Sequence, residues 1–559
     1  MIRRNCPVAA GRPGTALAIF AAIALVVALA AAALPGGPAH AQTDTAGSGA
    51  VLDNVRAILS DEKRQALPIE NRRLDLIRYY AADDAELLFV GTGRADQLVA
   101  RMIDAEYDGL DPGRYSIEFL ADLATEMQTA SPERLAEIEI WFAAHFLLYS
   151  ADVKVGRVLP RKVYPDLYMP RKEIDGENVL RALARFDDIE SFMAAWEPYN
   201  IEYSRLRKAL ANYLDIRDQG GWGNLPGGVD VAVGQRDERL PAVRLRLDIE
   251  YGYEAPSDDA DILDSELEIR LRAFQLHHDV PVTGQLDKST LLALNVPVER
   301  RIEQIMLSME RLRWMPEEIT ERVLIASKGD GLLRLLDEGG AVREWRILPN
   351  CPRDNLAIVA GRMRTMVINP SWDVPYDYFQ TVLFPLLQKD PATVARRGFQ
   401  LLYLDAAMPV DALPWGSLPK SSLSREKDKF RFRLMPGAEN PYGRFVYRLD
   451  GVDGAYLFDA PADAAAEICD VRLSKGAIAV VDGLDLMQIL SRRKIGTEEY
   501  LERTLERRET LIIPDIDPLP LMIVYQSAWI DSNGNVRFSR DPYQEDLRLT
   551  KALEGKEKS

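Results

Sequence analysis

The pattern of apolar residues in this 559-residue chain changes near residue 320, from helical spacing to short runs typical of strands. Upstream, Ser131-Pro132-Glu133 has the features of a helix start and leads into an apolar stripe at helical spacing from Leu135 to Tyr149. Downstream, Arg322–Ala326 and Leu332–Leu336 flank Gly329-Asp330-Gly331, an arrangement that indicates a β-hairpin. The sequence therefore predicts a multidomain α+β protein with a helical N-terminal part and a mostly β C-terminal part.

The C-terminal part carries further strand signals. Val342–Leu348 is expected to pair after the first hairpin, and Leu521–Tyr525 and Ala528–Ile530 are apolar runs near the end of the chain. Asn533-Gly534 is a strong hairpin turn, and the run Val536-Arg537-Phe538 follows it as the next strand. Between these runs, about residues 376–435 form a long insertion with helical character, and an insertion of this length inside a β domain is usually functional.

The first 41 residues have the layout of a secretory signal. Arg3, Arg4 and Arg12 precede the uncharged run Thr15–Leu34, and the small-residue site Ala39-His40-Ala41 follows a Pro/Gly cluster. We therefore predict cleavage after Ala41, export, and a periplasmic protein with no stable membrane span. An uncleaved inner-membrane anchor is the alternative, because the apolar run is also long enough to cross a bilayer.

Charge narrows the classes of partner. The formal net charge of −17 argues against binding to nucleic acid and against adhesion to anionic lipid.

The chain has four histidines: His40, His145, His277 and His278. His145 lies on an apolar helical stripe and is expected to be a core residue. His277 and His278 point about 100° apart on a helix, so they make a poor metal pair, and we expect them on the solvated surface. No metal and no cofactor are predicted.

A stretch of about residues 236–300 resembles the three-helix peptidoglycan-binding module. The similarity rests on the string Phe274-Gln275, Gly284, Thr290 and Leu294-Asn295. Two interpretations stay open at this point. The segment either binds peptidoglycan or is a helical spacer that has kept only the packing residues of the module.

Four other runs resemble the large YcbB/LdtD-type murein L,D-transpeptidases, which cross-link peptidoglycan stem peptides. Tyr107–Pro112, Val155–Pro160 and Gly220-Gly221-Trp222 are similar to their helical scaffold domain, and Met366–Pro375 is similar to a V-x-N-P-x-W-x-V-P run of their catalytic domain. The resemblance implies a helical scaffold domain, the small module, and a mostly β YkuD-like domain whose insertion forms a lid over the substrate cleft. The expected boundaries are a signal at 1–41, a flexible linker at 42–52, the scaffold at 53–235, the module at 236–300, a connecting helix at 301–320, the YkuD-like domain at 321–545 with its lid at about 376–435, and a charged tail at 546–559.

Two segments resemble the active-site segments of the YkuD family, but their reactive groups are replaced. Tyr456-Leu457-Phe458-Asp459-Ala460-Pro461 corresponds to a segment that reads Y-L-H-D-T-P, and the run from Arg472 to Val480 corresponds to R-x-[L/F]-S-[H/S]-G-C-[I/V]-R-V. The second segment keeps the glycine as Gly476. The degenerate positions are Phe458 for the first His, Lys475 for the His or Ser, Ala477 for the nucleophilic Cys and Ala479 for the Arg.

The distribution of histidines supports loss of the chemistry without reference to the family. A catalytic thiol must be held as thiolate by a nearby base, usually His. No His lies between Asp279 and Ser559, so the C-terminal part cannot supply a Cys-His pair from its own residues. The resemblance therefore implies a non-catalytic envelope protein. Its expected partner is either peptidoglycan, bound through stem peptides or glycan, or a second protein that is an active cell-wall enzyme.

Two alternatives to this function remain. The chain could be an active L,D-transpeptidase or carboxypeptidase that uses an unrecognised nucleophile such as Cys469 or Ser474, or it could be purely structural. Cys351 and Cys469 could form a disulfide in an oxidising compartment or stay as two free thiols. The candidates that the resemblance implies for a substrate cleft are Trp372, Arg444, Tyr456, Asp459, Arg472 and Ser474.

Overall fold

The structure is a computed structural model, and it describes residues 45–61, 72–164, 172–198, 200–253, 260–315, 322–337, 340–348, 359–419, 429–449, 455–460, 476–495, 498–514, 519–531, 533–541 and 544–555. The predicted signal at 1–41 lies outside these residues. Among the helices that the structure does describe, none combines the length and the apolarity that a membrane crossing requires.

The N-terminal part is helical, as predicted. Its helices are α1 Thr45–Ser60, α2 Arg73–Tyr80, α3 Arg94–Ile103, α4 Ile117–Glu126, α5 Pro132–Val155, α6 Pro160–Val163, α7 Gly176–Leu183, α8 Ile189–Trp196 and α9 Ile201–Asp218. The long helix α5 begins where the sequence indicated, because the Ser131 hydroxyl accepts a hydrogen bond from the amide of Arg134 at 3.4 Å and Pro132 occupies the first turn. Other helices pack around its apolar residues in one core.

The prediction of a flexible linker at 42–52 is wrong for the described part of that segment. Helix α1 begins at Thr45 and places Val51, Val55, Ile58 and Leu59 in the core against α5. The Gly- and Ala-rich composition suggested a linker, but burial of this apolar stripe in the tertiary structure outweighs the low helix propensity of glycine.

The run Tyr107–Pro112 has the structural role that its turn residues indicated. Asp108 is 1% exposed and forms ion pairs with Arg101 at 2.7 Å and with Arg207 of α9 at 2.9 Å. Gly109 follows with φ of 69°, and the carboxylate of Asp111 accepts a hydrogen bond from the amide of Gly113 at 3.0 Å. These contacts fix the loop between α3 and α4 against α9.

Three helices form the small module: α10 Leu240–Tyr251, α11 Ser265–His277 and α12 Lys288–Leu294. Gln275 is fully buried, and its amide nitrogen donates to the hydroxyls of Thr283 at 3.0 Å and Thr290 at 2.8 Å, while its amide oxygen accepts from the amide of Gly284 at 2.8 Å. Asn295 is bonded to both backbone groups of Leu225. The motif residues therefore hold the module together. The helix α13 Val298–Arg313 then leads to the β part.

The expectation that His277 and His278 are solvated is wrong. His278 is 1% exposed and stacks between the rings of Phe274 at 4.0 Å and Phe538 at 5.4 Å, with its Nε2 3.1 Å from the carboxylate of Glu250. His277 is 7% exposed. The end of α11 faces the C-terminal hairpin, a tertiary neighbour that helical periodicity alone does not reveal.

The β part is built on a nine-stranded sheet with the order β12-β4-β13-β1-β2-β3-β11-β10-β9, and additional pairing between β4 and β9 joins its ends. The strands are β1 Val323–Ser327, β2 Leu332–Asp337, β3 Gly340–Leu348, β4 Val359–Ile368, β5 Trp372–Asp373, β6 Phe399–Tyr403, β7 Ala406–Met408, β8 Phe430–Leu434, β9 Phe445–Leu449, β10 Ala455–Ala460, β11 Gly476–Val481, β12 Leu511–Ile513, β13 Leu519–Val524, β14 Ala528–Ile530 and β15 Val536–Phe538. Both predicted hairpins are present, since β1 pairs antiparallel with β2 and β14 pairs antiparallel with β15.

The insertion differs from the predicted helical lid. It contains α14 Tyr376–Tyr378, a π-helical turn Phe379–Leu383, α15 Phe384–Lys389 and α16 Pro391–Arg396. It also contains a separate four-stranded sheet with the order β5-β8-β6-β7, and helices and sheet share one core. The insertion is therefore a small α+β unit. Its strands pair across distant segments, a feature that local helical periodicity does not show.

The remaining helices are α17 Leu484–Ile495, α18 Glu498–Arg507 and α19 Glu545–Leu553. Helix α19 occupies most of the segment that we predicted as a charged tail. Its Asp546 is fully buried and forms ion pairs with Arg311 at 2.9 Å and Arg300 at 3.3 Å. Helix α19 is thus anchored on α13 by charge pairing.

Candidate functional site

The two degenerate segments lie side by side in the large sheet. Strands β10 and β11 pair in parallel, in a register that sets Tyr456 opposite Ala477 and Phe458 opposite Ala479. On the outer side of β10, Phe458 lies opposite Val446 of β9, and on the outer side of β11, Ala479 lies opposite Leu348 of β3. The fold thus brings together the positions that the sequence resemblance assigns to the reactive groups of the YkuD family.

Those positions form a dry apolar cluster. Side chains alternate between the two faces of a strand, so Phe458, Ala460, Ala477 and Ala479 share one face of neighbouring strands. Each of these four residues is 0% exposed, and Val446 on the same face is 4% exposed. We call these five residues the apolar cluster.

One aromatic and one aliphatic neighbour among the described residues pack against the apolar cluster. The ring of Tyr442 meets the ring of Phe458 edge-on at a centroid distance of 5.9 Å, and Leu348 packs against the same group. Neither Tyr442 nor Val446 lies in the two family segments, so no sequence signal pointed to them. Only the strand register shows that they contact the cluster.

The chemistry open to the apolar cluster is limited by its side-chain types. Acyl transfer requires a nucleophile, a base that accepts its proton, and donors for the developing oxyanion. Methyl, isopropyl and phenyl groups can neither attack a carbonyl nor carry a proton. The side chains of the cluster can therefore contribute packing and shape, and none of them can act as a nucleophile, a base or a side-chain donor to the oxyanion.

Arg444 and Asp459, two of the predicted cleft residues, are engaged with each other. Asp459 is 2% exposed and accepts hydrogen bonds from the Arg444 side chain at 2.6 and 2.9 Å, from the Arg444 amide at 3.2 Å and from the Gly483 amide at 3.1 Å. The hydrogen bonds to the carboxylate raise the pKa of Arg444 above its usual value. The pair thus joins β9, β10 and the start of α17.

The close approach of β9 and β10 at this pair requires a glycine. Gly443 has φ of 59°, and a Cβ at this position would collide with the backbone carbonyl of Asp459. Any other residue would push the two strand ends apart.

Trp372 has a different environment from the one predicted. It is 2% exposed and packs in the core of the insertion, where its ring meets Tyr378 at 5.1 Å. Its neighbour Asn369 has φ of 50° and donates from its side-chain amide to the carbonyl of Thr504 at 2.8 Å, near the end of α18. Asn440 donates to the carbonyl of Pro370 at 2.8 Å. The run Met366–Pro375 therefore connects the large sheet to the insertion.

Of the other predicted site residues, two lie in described strands and the rest lie outside the described residues. Tyr456 and Gly476 are in β10 and β11, where their backbones pair within the sheet. The remaining predicted residues, namely Arg472, Ser474, Lys475, Cys351 and Cys469, lie outside the described residues.

The three histidines that the structure describes are engaged elsewhere. His145 is hydrogen-bonded to the carbonyl of Trp141 at 2.9 Å within α5, as expected of a satisfied core histidine, and burial lowers its pKa. His277 lies 3.1 Å from the Tyr251 hydroxyl. Burial lowers the pKa of His278 to about 4, so this residue is neutral at neutral pH. Within the described ranges, no group of three or more His, Cys, Asp or Glu residues could hold a metal ion.

Comparison with known proteins identifies two domains in the order that the sequence suggested. The family model described as "Scaffold domain" matches residues 75–210. The family model described as "Putative peptidoglycan binding domain" matches residues 240–294, the segment that contains α10, α11 and α12.

A curated relative and a solved structure are similar over part of the chain. A protein of Haemophilus influenzae named "Putative L,D-transpeptidase" is 22% identical over 256 residues, which are 45% of this chain and 49% of the relative. The chain thus matches about half the length of this relative. The crystal structure of an L,D-transpeptidase from Xylanimonas cellulosilytica is 12% identical with a TM-score of 0.14, and the alignment covers 54% of this chain and 99% of the solved one. The match to the scaffold-domain model, the match to the peptidoglycan-binding model and the similarity to the curated relative support the resemblance of this chain to the YcbB/LdtD-type L,D-transpeptidase family.

Proposed function

We propose that this chain is an exported, non-catalytic member of the family that binds peptidoglycan and contributes to the organisation of the cell wall. The observation that carries the proposal is the apolar cluster. Phe458, Ala477 and Ala479 occupy the positions of the family's His, Cys and Arg, and all three are 0% exposed. Loss of one reactive group could be compensated by a neighbour, but a fully buried group of hydrocarbon side chains offers no replacement in its place.

Binding is the function that the remaining domains support. The module at 240–294 matches a peptidoglycan-binding family, and its internal polar contacts around Gln275 are complete. A folded module needs no catalytic residue to hold glycan or stem peptides. An active cell-wall enzyme is the other partner that fits, because a domain that keeps the shape of a transpeptidase can bind beside a working one.

The envelope location in this proposal has two supports. The predicted signal at 1–41 would export the chain, and the peptidoglycan-binding module would have no ligand in the cytoplasm. An uncleaved signal would place the same domains on the outer side of the inner membrane, which leaves access to peptidoglycan unchanged.

The test combines a binding assay with an activity assay on one preparation of the mature chain. The protein is sedimented with purified sacculi, and in parallel it is incubated with disaccharide-tetrapeptide before mass spectrometry of protein and products. We expect co-sedimentation, no released D-alanine and no covalent adduct. Chain without sacculi and sacculi pre-digested with a muramidase are the matched controls.

Each other outcome identifies a different function. Release of D-alanine, or an adduct that maps to Cys469 or Ser474, would mean an active enzyme with a relocated nucleophile and would refute the proposal. Failure to sediment with sacculi, together with failure to capture a cell-wall enzyme by cross-linking in intact cells, would leave a purely structural role. That combination would also refute the proposal.

A further inference from the structure

A groove lies where the scaffold helices, α13 and α19 meet, away from the apolar cluster. Its floor is one face of α13, formed by residues spaced three and four apart: Glu299, Ile302, Glu303, Met306, Leu307 and Glu310. One wall comes from the scaffold and α9, and the other wall comes from Thr550 and Leu553 of α19. The enclosed volume is about 310 Å³. Eleven helical steps from Glu299 to Glu310 give the groove a length of about 16 Å.

Arg157 lines one end of this groove with its charge uncompensated. Its guanidinium makes no hydrogen bond or ion pair with any residue that the structure describes, and its Nε is buried without a partner. A buried or half-buried guanidinium normally has an anionic or carbonyl partner, because removal from water is costly otherwise. The groove therefore contains an unfilled donor site for an acceptor group.

The backbone at Arg157 is fixed against α13, so the donor site is preorganised. The amides of Arg157 and Val158 both donate to one carboxylate oxygen of Glu310, at 2.6 and 3.1 Å. Gly156 allows this approach, because a Cβ there would come within 2.6 Å of that carboxylate. The second oxygen of Glu310 accepts from Arg313 at 3.1 Å. Glu310 is thus committed to the backbone and to Arg313, and it leaves the Arg157 side chain available.

The other charges in the middle of the groove are paired. Arg217 binds Glu106 at 2.6 Å, and Glu303 binds Arg300 at 2.6 Å and the Thr550 hydroxyl at 2.9 Å. Among the described residues, Glu299 at the far end has no such partner and is exposed. The groove therefore has an uncompensated cation at one end and an uncompensated anion at the other.

The surface between these ends is apolar. Ile302, Met306, Leu307 and Leu553 line it, and Met306 and Leu553 are half-buried rather than fully packed. An apolar floor with opposite charges at its ends matches a zwitterion whose middle carries small apolar groups. An extended peptide rises about 3.3 Å per residue, so about four residues span the groove.

We propose that this groove binds a short peptide with a free C-terminal carboxylate, held by Arg157, and with its amino end directed toward Glu299. A guanidinium holds a carboxylate through two parallel hydrogen bonds, which is why the fork of Arg157 selects this group over an amide. The occupant is an ordinary linear peptide of small apolar residues, because a peptidoglycan stem would bring the charged groups of its glutamate and diaminopimelate residues into the apolar middle of the groove. The inference does not depend on the proposed function, because it concerns residues outside the module and the apolar cluster.

The experiment is titration calorimetry of the mature chain with three peptides. They are tetra-L-alanine, its C-terminal amide, and a free peptidoglycan stem tetrapeptide. We expect the acid to bind at least about tenfold more tightly than the amide, the ratio typical of one charge-assisted contact. We expect the stem peptide to bind more weakly than tetra-L-alanine, and tighter binding of the stem peptide would refute the assignment of the groove to an ordinary linear peptide.

Variants assign the binding to the groove. Arg157→Gln is expected to remove the preference for the acid, whereas Arg161→Gln, a matched change at an exposed arginine of α6, is expected to leave it unchanged. Met306→Trp narrows the groove without altering its charges and is expected to weaken all three peptides together. Circular dichroism melting shows whether each variant is folded.

Two results would overturn the proposal. One is the absence of binding by either free acid in the millimolar range in the unaltered chain. The other is a preference for the acid that persists in a folded Arg157→Gln variant, which would place the carboxylate elsewhere. Neither result bears on co-sedimentation with sacculi, so failure here is distinguishable from failure of the proposed function.

Discussion

Ala477→Cys returns a thiol to the position of the family's nucleophile, and we expect the variant to be inert. The site is 0% exposed and is surrounded by Val446, Phe458, Ala460 and Ala479. Among the residues that the structure describes, those packed around position 477 include no imidazole to accept the proton and no cation to stabilise a thiolate. Burial in apolar surroundings disfavours the charged form, so it raises the pKa of the introduced thiol.

The expected loss of reactivity follows from the thiolate fraction. A free thiol with its ordinary pKa of about 8.5 is about 9% thiolate at about pH 7.5. Each further unit of pKa lowers that fraction about tenfold, so a rise of one to two units leaves about 1% to 0.1%. We therefore expect alkylation at least about tenfold slower than at an exposed cysteine, before any additional steric protection. The added sulfur must also fit a packed site, at a cost of about 1–3 kcal/mol in stability.

The assay is iodoacetamide labelling at several pH values, quantified for each cysteine-containing peptide by mass spectrometry so that Cys351 and Cys469 do not interfere. Ala412→Cys is the matched control, because it makes the same change at an exposed position of the same domain. Release of D-alanine from disaccharide-tetrapeptide is measured on the same samples. We expect rapid labelling of the control, slow labelling at position 477, and no product from either.

A second variant distinguishes two causes of low reactivity at position 477, the lack of a base and the lack of access for the reagent. Phe458→His together with Ala477→Cys places an imidazole on the neighbouring strand and on the same face, about 7–8 Å away diagonally between Cα atoms. We expect this pair to react faster than Ala477→Cys alone, because the imidazole can hold the thiolate as an ion pair. Labelling of Ala477→Cys alone at the rate of the control, or D-alanine release by it, would refute this account of the site.

Three further predictions concern stability. Asp459→Asn should lower the free energy of unfolding of the β part by about 2–4 kcal/mol in chemical denaturation. This is less than the full cost of breaking a buried ion pair, because the arginine partner is 38% exposed. Asp373→Asn is the control at an exposed ion pair and should cost less than about 1 kcal/mol. The pKa of His278, lowered to about 4 by burial, lies below its unfolded value of 6.5, so its stabilising contribution is present above pH 6.5 and is lost as pH falls toward 4. The free energy of opening of the module, measured by hydrogen exchange, should fall by about 2 kcal/mol between pH 7 and pH 5. That loss should disappear in His278→Gln, and its persistence there would contradict the assignment. Gly443→Ala should abolish soluble expression, whereas Gly437→Ala, where a Cβ meets no atom within 4 Å, should be tolerated.

Much of the fold was predictable because local pattern and tertiary structure agree there. The start of α5 carries its own cap and proline, and the hairpins at Gly329–Gly331 and Asn533-Gly534 have turn residues that few other structures accept. The predictions failed where contact with a residue far away in the sequence determines the local structure. Residues 45–52 look like a linker until α5 is placed beside them, and His278 looks solvated until Phe538 is stacked on it.

The candidate site, like the fold, could be predicted only where the answer depends on the residues themselves and not on distant contacts. The identities of Phe458, Ala477 and Ala479 are the basis of the prediction that these positions carry no nucleophile or base, since no fold can give an alkyl group a nucleophile's lone pair. Their burial was not predictable, because it depends on the register between β10 and β11 and on Val446 from β9. The prediction that Trp372 lines a cleft was wrong because the V-x-N-P-x-W-x-V-P run sets a junction between two cores, which its sequence does not distinguish from a cleft wall.

The burial of the apolar cluster bears on our proposal that the site is not catalytic. A catalytic cleft keeps its nucleophile accessible to substrate, and replacement of the reactive groups alone would leave an exposed apolar floor that favours collapse or aggregation. Here the replaced positions are packed to 0% exposure while the ion pair of Arg444 and Asp459 still joins the strands that carry them. The strand frame is therefore maintained by interactions that are independent of the former reactive groups. A domain organised in this way can keep its shape for binding without the reactive groups of the family, and turnover at these positions would require both those groups and a path for substrate to reach them.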